Sequence, residues 1–378
     1  MTATAPKTLR DWIALTFVTG VGSRTAALLL DRFGSPTACF DASPTALDAA
    51  GLKRESIDAI KSSEPFDRAE REIETLAALG ARAITLADDD YPALLRETYD
   101  PPIVLYSLGD LARALLRPAI AVVGSRRCST YGKNVAEMLS RDLASRGVTI
   151  VSGLARGIDT AAHRGAIAGR GLTVAVMGTG LDELYPKENQ KLALQVREQG
   201  ALLTEFPVST PPVSQNFPFR NRVISGIALG VLVVEGAERS GSLITARMAY
   251  EQGREVFAVP GNITSSKSFG PNYLIKDGAK LVQTWRDVVE EFPLDMKTAI
   301  LASEREDKPG SQMSFDEVAL SDAEKKILRL IKPDEAAHID WLMEKSGLQA
   351  GELMSALLNL EMTDRIRQLP GKNFARKL

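Results

Sequence analysis

Apolar runs alternate with helix-like segments between Pro118 and about Glu291, and this alternation restricts the possible folds more than any other feature of the chain. The runs are AIAVV (119–123), VTIV (148–151), LTVAVM (172–177), ALLT (201–204), GVLVV (230–234) and EVFAV (255–259). Strands that alternate with helices predict right-handed strand–helix–strand units and a doubly wound, mostly parallel α/β sheet. Ligands of such sheets bind at the carboxyl ends of the strands.

Two of these strand ends carry Gly/Ser turns that lead into helical patterns. The first turn consists of Gly124, Ser125, Arg126 and Arg127, and the second runs from Glu235 through Arg239, Ser240, Gly241 and Ser242. Backbone N–H groups at a helix N-terminus attract anions, and arginine offers a planar fork that fits phosphate oxygens. The two turns therefore predict one phosphate site if they converge, and a pair of solvated surface turns if they do not.

Aromatic and basic residues are interleaved where a Pro-rich loop enters a further helix. The residues are Phe217, Phe219, Arg220, Asn221 and Arg222. This composition is typical of single-stranded nucleic-acid binding, because guanidinium groups hold phosphates while rings stack on bases, a contact worth about 1–3 kcal/mol per base. The alternative interpretation is that each phenylalanine anchors the loop in the core.

Composition limits the partners and the compartment. The formal net charge is −2, so nucleic-acid binding would need a local basic patch. The two cysteines, Cys39 and Cys128, are far apart, which predicts a reducing compartment, no disulfide and no metal site. The absence of a membrane-length apolar run and of a signal-peptide core predicts a cytoplasmic protein without a membrane partner.

The chain is long enough for several domains. Residues 1–65 contain short helical patterns and a TGVGSR turn, which predict a small helical domain with a helix-hairpin-helix. Residues 66–292 hold the α/β domain, and the polar residues 293–320 are predicted to be a linker. Residues 321–378 predict three helices and a hairpin, the pattern of a winged helix, whose partner is duplex DNA or a protein.

Catalytic groups are sparse. Asp159 and His163 lie four residues apart and could form an acid/base pair, but no nucleophile accompanies them. We therefore interpret Arg156, Gly157, Asp159 and His163 as a structural set that orients the loop after the second strand. There is no P-loop, and the dinucleotide motif beginning at Gly178 is incomplete, so the sequence predicts neither an enzyme nor a cofactor.

Six segments together resemble one known family. They are VVGSRRCSTYG, VSGLARGIDTAAH, GTGLDELYP, FPFRNRVISG, ERSGSLITARMAYEQGREVFAVPGN and SFGPNYLIKDGA, and they cover about residues 80 to 290. In this order they resemble the DNA-processing protein A family (DprA, also called Smf). The resemblance implies an extended Rossmann-like domain without known enzymatic activity, flanked by a sterile-alpha-motif-like or helix-hairpin-helix domain and a C-terminal winged helix.

The resemblance also implies a function. It indicates a homodimer that binds and protects incoming single-stranded DNA and hands it to the RecA recombinase during natural transformation. The DNA-binding residues that it implies are Gly124, Ser125, Arg126, Arg220, Asn221, Arg222, Ser240, Gly241, Ser242 and Asn262. Some members carry a lysine near Ser240, where this chain has Arg239. The alternative is a nucleotide-processing enzyme similar to nucleoside monophosphate phosphoribohydrolases, although Pro260-Gly261-Asn262 lacks their second glycine.

Overall fold

The computed structural model describes residues 6–306, 320–332, 335–363 and 365–376. Six helices open the chain and pack into a small bundle. They are α1 (Pro6–Thr16), α2 (Ser23–Phe33), α3 (Pro36–Asp41), α4 (Pro44–Asp48), α5 (Arg54–Ile60) and α6 (Glu64–Leu79). Helix α6 packs against α1, so the predicted domain boundary at residue 65 falls inside a helix that belongs to the bundle.

The central domain is built on nine strands with helices between them. The strands are β1 (Arg82–Thr85), β2 (Val104–Gly109), β3 (Ala119–Val123), β4 (Thr149–Ser152), β5 (Thr173–Val176), β6 (Gly200–Thr204), β7 (Gly230–Val233), β8 (Glu255–Ala258) and β9 (Lys280–Leu281). The helices are α7 (Ala93–Arg96), α8 (Leu111–Leu115), α9 (Thr130–Ala144), α10 (Ile158–Ala168), α11 (Gln190–Gln199), α12 (Asn216–Gly226), α13 (Gly241–Glu251), α14 (Phe269–Lys276), α15 (Trp285–Val289) and α16 (Leu294–Glu306).

The strands form one sheet in the order β1-β2-β6-β5-β4-β3-β7-β8-β9. The seven strands from β6 to β9 are parallel, and β1 and β2 extend the β6 edge in antiparallel pairing. The prediction of a mostly parallel, Rossmann-like sheet is therefore confirmed. The chain winds one way from β3 to β6 and the other way from β7 to β9, so the topological switch point lies between β3 and β7.

Apolar side chains cover both faces of the sheet, as expected for parallel strands enclosed by helices. Strand β3 is buried along its whole length, and its residues alternate between the two cores. Ile120 and Val122 pack against α9 and α10, whereas Ala119, Ala121 and Val123 face α12 and α13. Leu294–Glu306, within the stretch that we predicted as a linker, is helix α16, and its Ile300 is buried against the first of these cores. Residues 307–319 of that stretch lie outside the described residues.

The C-terminal region has the three helices and the hairpin that the sequence predicts. Its elements are α17 (Asp322–Leu330), β10 (Ala337–His338), α18 (Ile339–Ser346), α19 (Ala350–Met362), β11 (Ile366–Leu369) and β12 (Asn373–Arg376). The strands form a separate sheet in the order β10-β12-β11, and β11 and β12 make the wing. An apolar core with Ile327, Leu342, Leu353 and Phe374 holds the helices on this sheet, so the winged helix is confirmed.

Candidate nucleic-acid interface

The two Gly/Ser turns lie side by side at the switch point. Val123 pairs with Val233 in the parallel register, and the N–H of Val234 donates to the carbonyl of Val123 at 3.1 Å. Beyond these strand ends, a Cβ on Gly124 would stand 2.9 Å from the carbonyl oxygen of Glu235. The turns that follow β3 and β7 therefore form one continuous rim, which is the first of the two arrangements that the sequence left open.

Three arginines on this rim project into solvent. Arg126, Arg127 and Arg239 are exposed, and none forms an ion pair with another residue in the described part of the chain. The turn itself is held by a bond from the N–H of Arg127 to the Ser125 hydroxyl at 3.2 Å. The guanidinium of Arg126 stands 5.3 Å from the centre of the Phe217 ring, within cation–π range. These side chains are available to a ligand from solution.

A carboxylate of the protein fills the N-terminus of α9. Glu235 is 3% exposed, and its Oε2 accepts the N–H of Ser129 at 2.8 Å while Oε1 accepts the Ser129 hydroxyl. Gly132 belongs to the same arrangement, because a Cβ there would stand 2.4 Å from the Glu235 carboxyl carbon. The positive end of the α9 dipole, where a Rossmann-like sheet usually holds a nucleotide phosphate, is therefore already paired.

Asp159, in the first turn of α10, holds the loop that precedes this helix. Its Oδ2 accepts the N–H groups of Gly153 at 3.1 Å and Ala155 at 3.3 Å, which closes the loop after β4. Burial raises the pKa of Asp159 from its ordinary value, while Arg220 and these N–H groups oppose the shift. Gly157 has a φ of +78°, and a Cβ there would lie 2.2 Å from the carbonyl oxygen of Ser125. This loop consequently rests against the first turn.

His163 does not pair with Asp159. The Thr173 hydroxyl donates to the carbonyl of Ile150 at 2.8 Å, so it accepts the Nδ1–H of His163, at 2.7 Å. Burial lowers the pKa of His163 to about 3, and the nearby Arg220 adds to the shift. The histidine is neutral and enclosed, and this geometry does not form the acid/base pair that we considered from the sequence.

The N-terminus of α13 is open by comparison. Its N-cap Ser240 makes no capping bond to the helix, and no acidic residue stands in the first turn. The Ser240 hydroxyl bonds instead to the Ser242 hydroxyl, with an Oγ–Oγ distance of 2.7 Å, and Gly241 between them is exposed. The N–H groups of this turn, beside Arg239, are therefore presented to an anion without a competing carboxylate in the first turn.

The segment that follows β8 brings two further polar residues, Lys267 and Asn262, to this side of the rim. Gly236 donates its N–H to the carbonyl of Lys267 at 2.7 Å, which brings the half-buried Lys267 to the second turn. Sequence reasoning missed this cation, and its one signal was its position beside the SFGPN motif. The Asn262 side chain is exposed, but its Oδ1 accepts the N–H and hydroxyl of Thr264 at 3.0 and 2.9 Å, so it stabilises its own turn.

Arg220 and Arg222, which the resemblance placed among the DNA contacts, point into the protein. Arg220 is 4% exposed and donates to the carbonyls of Gly153, at 2.7 Å, and Val176. Its Nε donates to the Asn221 side chain at 3.3 Å, and burial lowers its pKa to about 10. In this structure its donors join the loops after β4 and β5 and do not reach the rim surface.

Arg222 joins three parts of the chain. It is 5% exposed and pairs with Glu205, and its Nη1 donates to the carbonyl of Asp100 at 2.6 Å. Its Nη2 also donates to the hydroxyl of Ser23, the first residue of α2, at 3.1 Å. The start of α2, which forms the second half of the predicted helix-hairpin-helix, therefore meets the α/β domain at this point.

Aromatic rings border the rim next to Arg126. Phe217 is half-buried and stands 5.6 Å from Tyr185, which is 41% exposed. The ring lies over Gly178, where a Cβ would be 2.9 Å from Phe217, so glycine at that strand end makes room for it. Phe219 is 51% exposed, but its ring contacts the guanidinium of Arg222, 5.0 Å from the ring centre, and not Arg126. These rings are accessible enough to stack on bases, and the core-anchor interpretation applies to Phe217 only in part.

The third helix of the winged module lacks the basic side chains with which a recognition helix contacts duplex DNA. Helix α19 has the sequence AGELMSALLNLEM, which contains no lysine, arginine or histidine. Met354, Leu358 and Met362, at successive fourth positions, are 55%, 57% and 78% exposed. An apolar helix of this kind offers few donors to base edges or phosphates.

Two features are absent from the described residues. No group of three or more His, Cys, Asp or Glu side chains in this part of the chain is arranged to hold a metal ion. Within the same residues, no helix has both the length and the apolar character that a bilayer crossing requires.

Comparisons with known proteins identify the family of this chain. The family described as DNA recombination-mediator protein A matches residues 82–293, which is more than half of the chain, and the DprA winged helix domain matches residues 312–372. Protein Smf of Escherichia coli is 44% identical over 282 residues, which are 74% of this chain and 74% of that protein. DNA processing protein DprA of Bacillus subtilis is 44% identical over 214 residues, 57% of this chain and 72% of its own length.

A solved structure is similar over most of the chain. The crystal structure of DNA processing protein A from Streptococcus pneumoniae matches with a TM-score of 0.67 at 35% identity, and it covers 78% of this chain and all of that one. The chain therefore belongs to the DNA recombination-mediator protein A family, the DNA-processing proteins called DprA or Smf.

Proposed function

We propose that this protein binds single-stranded DNA along the rim formed by the turns after β3 and β7, without forming or breaking a bond in it. One observation carries the proposal. At the switch point, Arg126, Arg127 and Arg239 are exposed and form no ion pair among the described residues, and Arg239 directly precedes the open N-terminus of α13. Guanidinium groups and free backbone N–H groups together are the chemistry that binds phosphates.

The aromatic border supports a single strand rather than a duplex. The ring of Phe217 stands beside Arg126, that of Tyr185 stands beside Phe217, and both rings are partly exposed. Bases are free to stack on such rings only when they are unpaired, whereas the bases of a duplex are already stacked on one another. The apolar surface of α19 gives no support for a duplex site on the winged helix.

The filled N-terminus of α9 argues against the nucleotide-processing alternative. A nucleotide bound in the usual Rossmann-like manner would place its phosphate where the Glu235 carboxylate receives the Ser129 donors. Two negative groups would then compete for the same donors. A strand that crosses the outside of the rim meets Arg126, Arg127 and Arg239 without displacing Glu235.

The test is an anisotropy titration of labelled oligo-dT at several salt concentrations. About four phosphate contacts predict a slope near −3 for log K against log [salt]. Arg126→Ala should weaken binding by about 1.5–3 kcal/mol, the range for hydrogen bonds to charged groups. Arg113→Ala is the matched control, because Arg113 is exposed on α8, which precedes the opposite end of β3. Equal affinity of wild type and Arg126→Ala for oligo-dT would remove the proposed site.

The enzyme alternative has its own assay. Incubation with nucleoside monophosphates, followed by chromatography for free base, should yield no product above a protein-free blank. Release of base by the wild type but not by a heat-denatured sample would reverse the order of the two hypotheses, particularly if oligo-dT failed to bind.

We further propose that the protein acts as a homodimer that protects incoming strands and loads RecA onto them in natural transformation, as the family resemblance implies. An exposed apolar surface supports dimerisation near the rim. Ile244 on α13 is 45% exposed, and Phe269 and Tyr273 on α14 are stacked with centroids 6.3 Å apart and are about half exposed. Tyr273→Glu should convert a dimer to a monomer in sedimentation velocity, and an unchanged mass would place the dimer contact elsewhere.

A further inference from the structure

The wing of the C-terminal module is attached to α9, the helix that follows the first phosphate turn. Asn134 is 6% exposed and uses both ends of its amide: Nδ2 donates to the carbonyl of Arg376 at 2.8 Å, and Oδ1 accepts from Arg367 Nη2 at 2.6 Å. Both partners belong to the wing strands β11 and β12. The wing is therefore held about one helical turn beyond the N-cap Ser129.

One carboxylate at this junction, Glu137, lies near Arg367 and Lys133, and Arg164 acts electrostatically on the same lysine. Arg367 Nη1 lies 3.9 Å from Oε2 of Glu137. Lys133 is four residues before Glu137, on the same face of α9. Arg164 comes from α10, where its neighbour Gly165 packs so closely that a Cβ would stand 2.2 Å from the Glu137 carbonyl oxygen. One carboxylate cannot neutralise three cations.

The local charges confirm this imbalance. Burial lowers the pKa of Lys133, Arg367 and Arg164 lower it further, and Glu137 is the carboxylate that opposes them. Lys133 and Arg164 form no ion pair with another described residue, and the buried Nε of Arg367 makes no hydrogen bond. A group with negative oxygens that approached Lys133 and Arg164 from solution would relieve this repulsion.

We propose that Lys133, Arg164 and Arg367 form a second phosphate site, which holds the DNA strand after it leaves the rim. The inference rests on the proposed function. Lys133 follows the N-cap of α9 by four residues, about 6 Å along the helix. Arg164 lies on α10, whose preceding Gly157 touches the first turn. The cluster therefore continues the rim along the outer surface of α9 and α10, and the docked wing supplies its third cation.

Oligonucleotide length separates this site from the rim. Labelled oligo-dT of about six nucleotides should occupy the rim alone, whereas about 20 nucleotides should reach both sites. The double variant Lys133→Met/Arg164→Met should weaken binding of the long strand by about tenfold or more and make its salt slope shallower by about 1.4, which is 0.7 for each lost contact. Its affinity for the short strand should not change.

The double variant Lys53→Met/Arg113→Met is the matched control, because it removes the same charge from exposed positions on other surfaces. Unchanged long-strand binding in Lys133→Met/Arg164→Met would overturn the second site. An equal loss on short and long strands would overturn it too, since the cations would then act on the rim. A loss confined to duplex of equal length would assign the cluster to duplex DNA instead. Arg126→Ala is measured in parallel. If only Arg126→Ala loses affinity for DNA and Lys133→Met/Arg164→Met does not, the rim is retained and only the second site is rejected.

Discussion

Two regions of the molecule carry arginines in similar sequence motifs, but the arginines are exposed in one region and buried in the other. Arg126 and Arg127, in the turn after β3, stand in solvent without an ion pair among the described residues. Arg220 and Arg222, on α12, are buried and donate to the backbone carbonyls of Gly153, Val176 and Asp100 and to the Glu205 carboxylate. In the proposed function, the first pair provides charge for a ligand. The second pair keeps the loops in the positions that give the rim its shape.

Removal of a buried arginine should produce the largest effect. In Arg220→Met the carbonyls of Gly153 and Val176 lose their donor, and the buried Asp159 loses the cation that most opposes the rise of its pKa. We expect the free energy of unfolding to fall by about 3–5 kcal/mol, as for other broken buried charge pairs. Urea unfolding followed by circular dichroism measures this change.

Arg127→Met is the control for that measurement, and it should lie within about 0.5 kcal/mol of wild type because its side chain is exposed. If Arg220→Met were as stable as Arg127→Met and lost only DNA affinity, Arg220 would belong to the ligand-binding group and the comparison would fail.

The buried region should also respond to pH where the rim does not. Burial lowers the pKa of His163 to about 3, below its usual 6.5, so the folded protein binds fewer protons than the unfolded chain between these values. Stability from this group is therefore fully present above about pH 6.5 and is lost as the pH falls toward 3. The expected slope is about 1.4 kcal/mol per pH unit, the value for one proton.

His163→Gln isolates this contribution, because the difference between wild type and variant cancels the opposite slope that the raised pKa of Asp159 adds. The variant should lose the acid dependence between pH 6 and about 4.5 in urea unfolding. Parallel pH profiles for the two proteins would mean that His163 is protonated without cost in the folded state. The arginines of the rim stay charged over this interval, so DNA binding should vary little through them.

The sequence predicted the parts of this arrangement that depend on local patterns. The alternation from Ala119 to Val259 gave the parallel sheet, and the Gly/Ser turns after β3 and β7 marked the switch point at which the rim forms. The winged helix followed from three helical patterns and a hairpin. Each of these signals lies within a short stretch of chain, so it can be recognised without knowledge of distant contacts.

The environments of the charged groups could not be predicted in that way. Glu235 reaches Ser129 across 106 residues, and Arg220 reaches Gly153 across 67. Neither contact has a local signature, and FPFRNR reads equally well as an exposed basic patch or as a buried anchor. Lys133 and Arg164 could not be recognised from the sequence as part of a cation cluster, because the third cation, Arg367, is brought beside Glu137 by the wing. Long-range packing decides which arginines face the ligand.

Arg156 provides the smallest and most discriminating test of the comparison, because it is exposed but already paired. Its Nη2 lies 2.5 Å from the Glu188 carboxylate, and both side chains are about 60% exposed. Exposed pairs of this kind contribute little, so Arg156→Ala should change the free energy of unfolding by less than about 0.5 kcal/mol. If exposure alone were sufficient for an arginine to bind DNA, Arg156→Ala would weaken oligo-dT binding as strongly as Arg126→Ala. If the absence of a partner is what matters, as the rim geometry indicates, its affinity and salt slope should stay close to those of wild type, and anisotropy at two salt concentrations distinguishes the two outcomes.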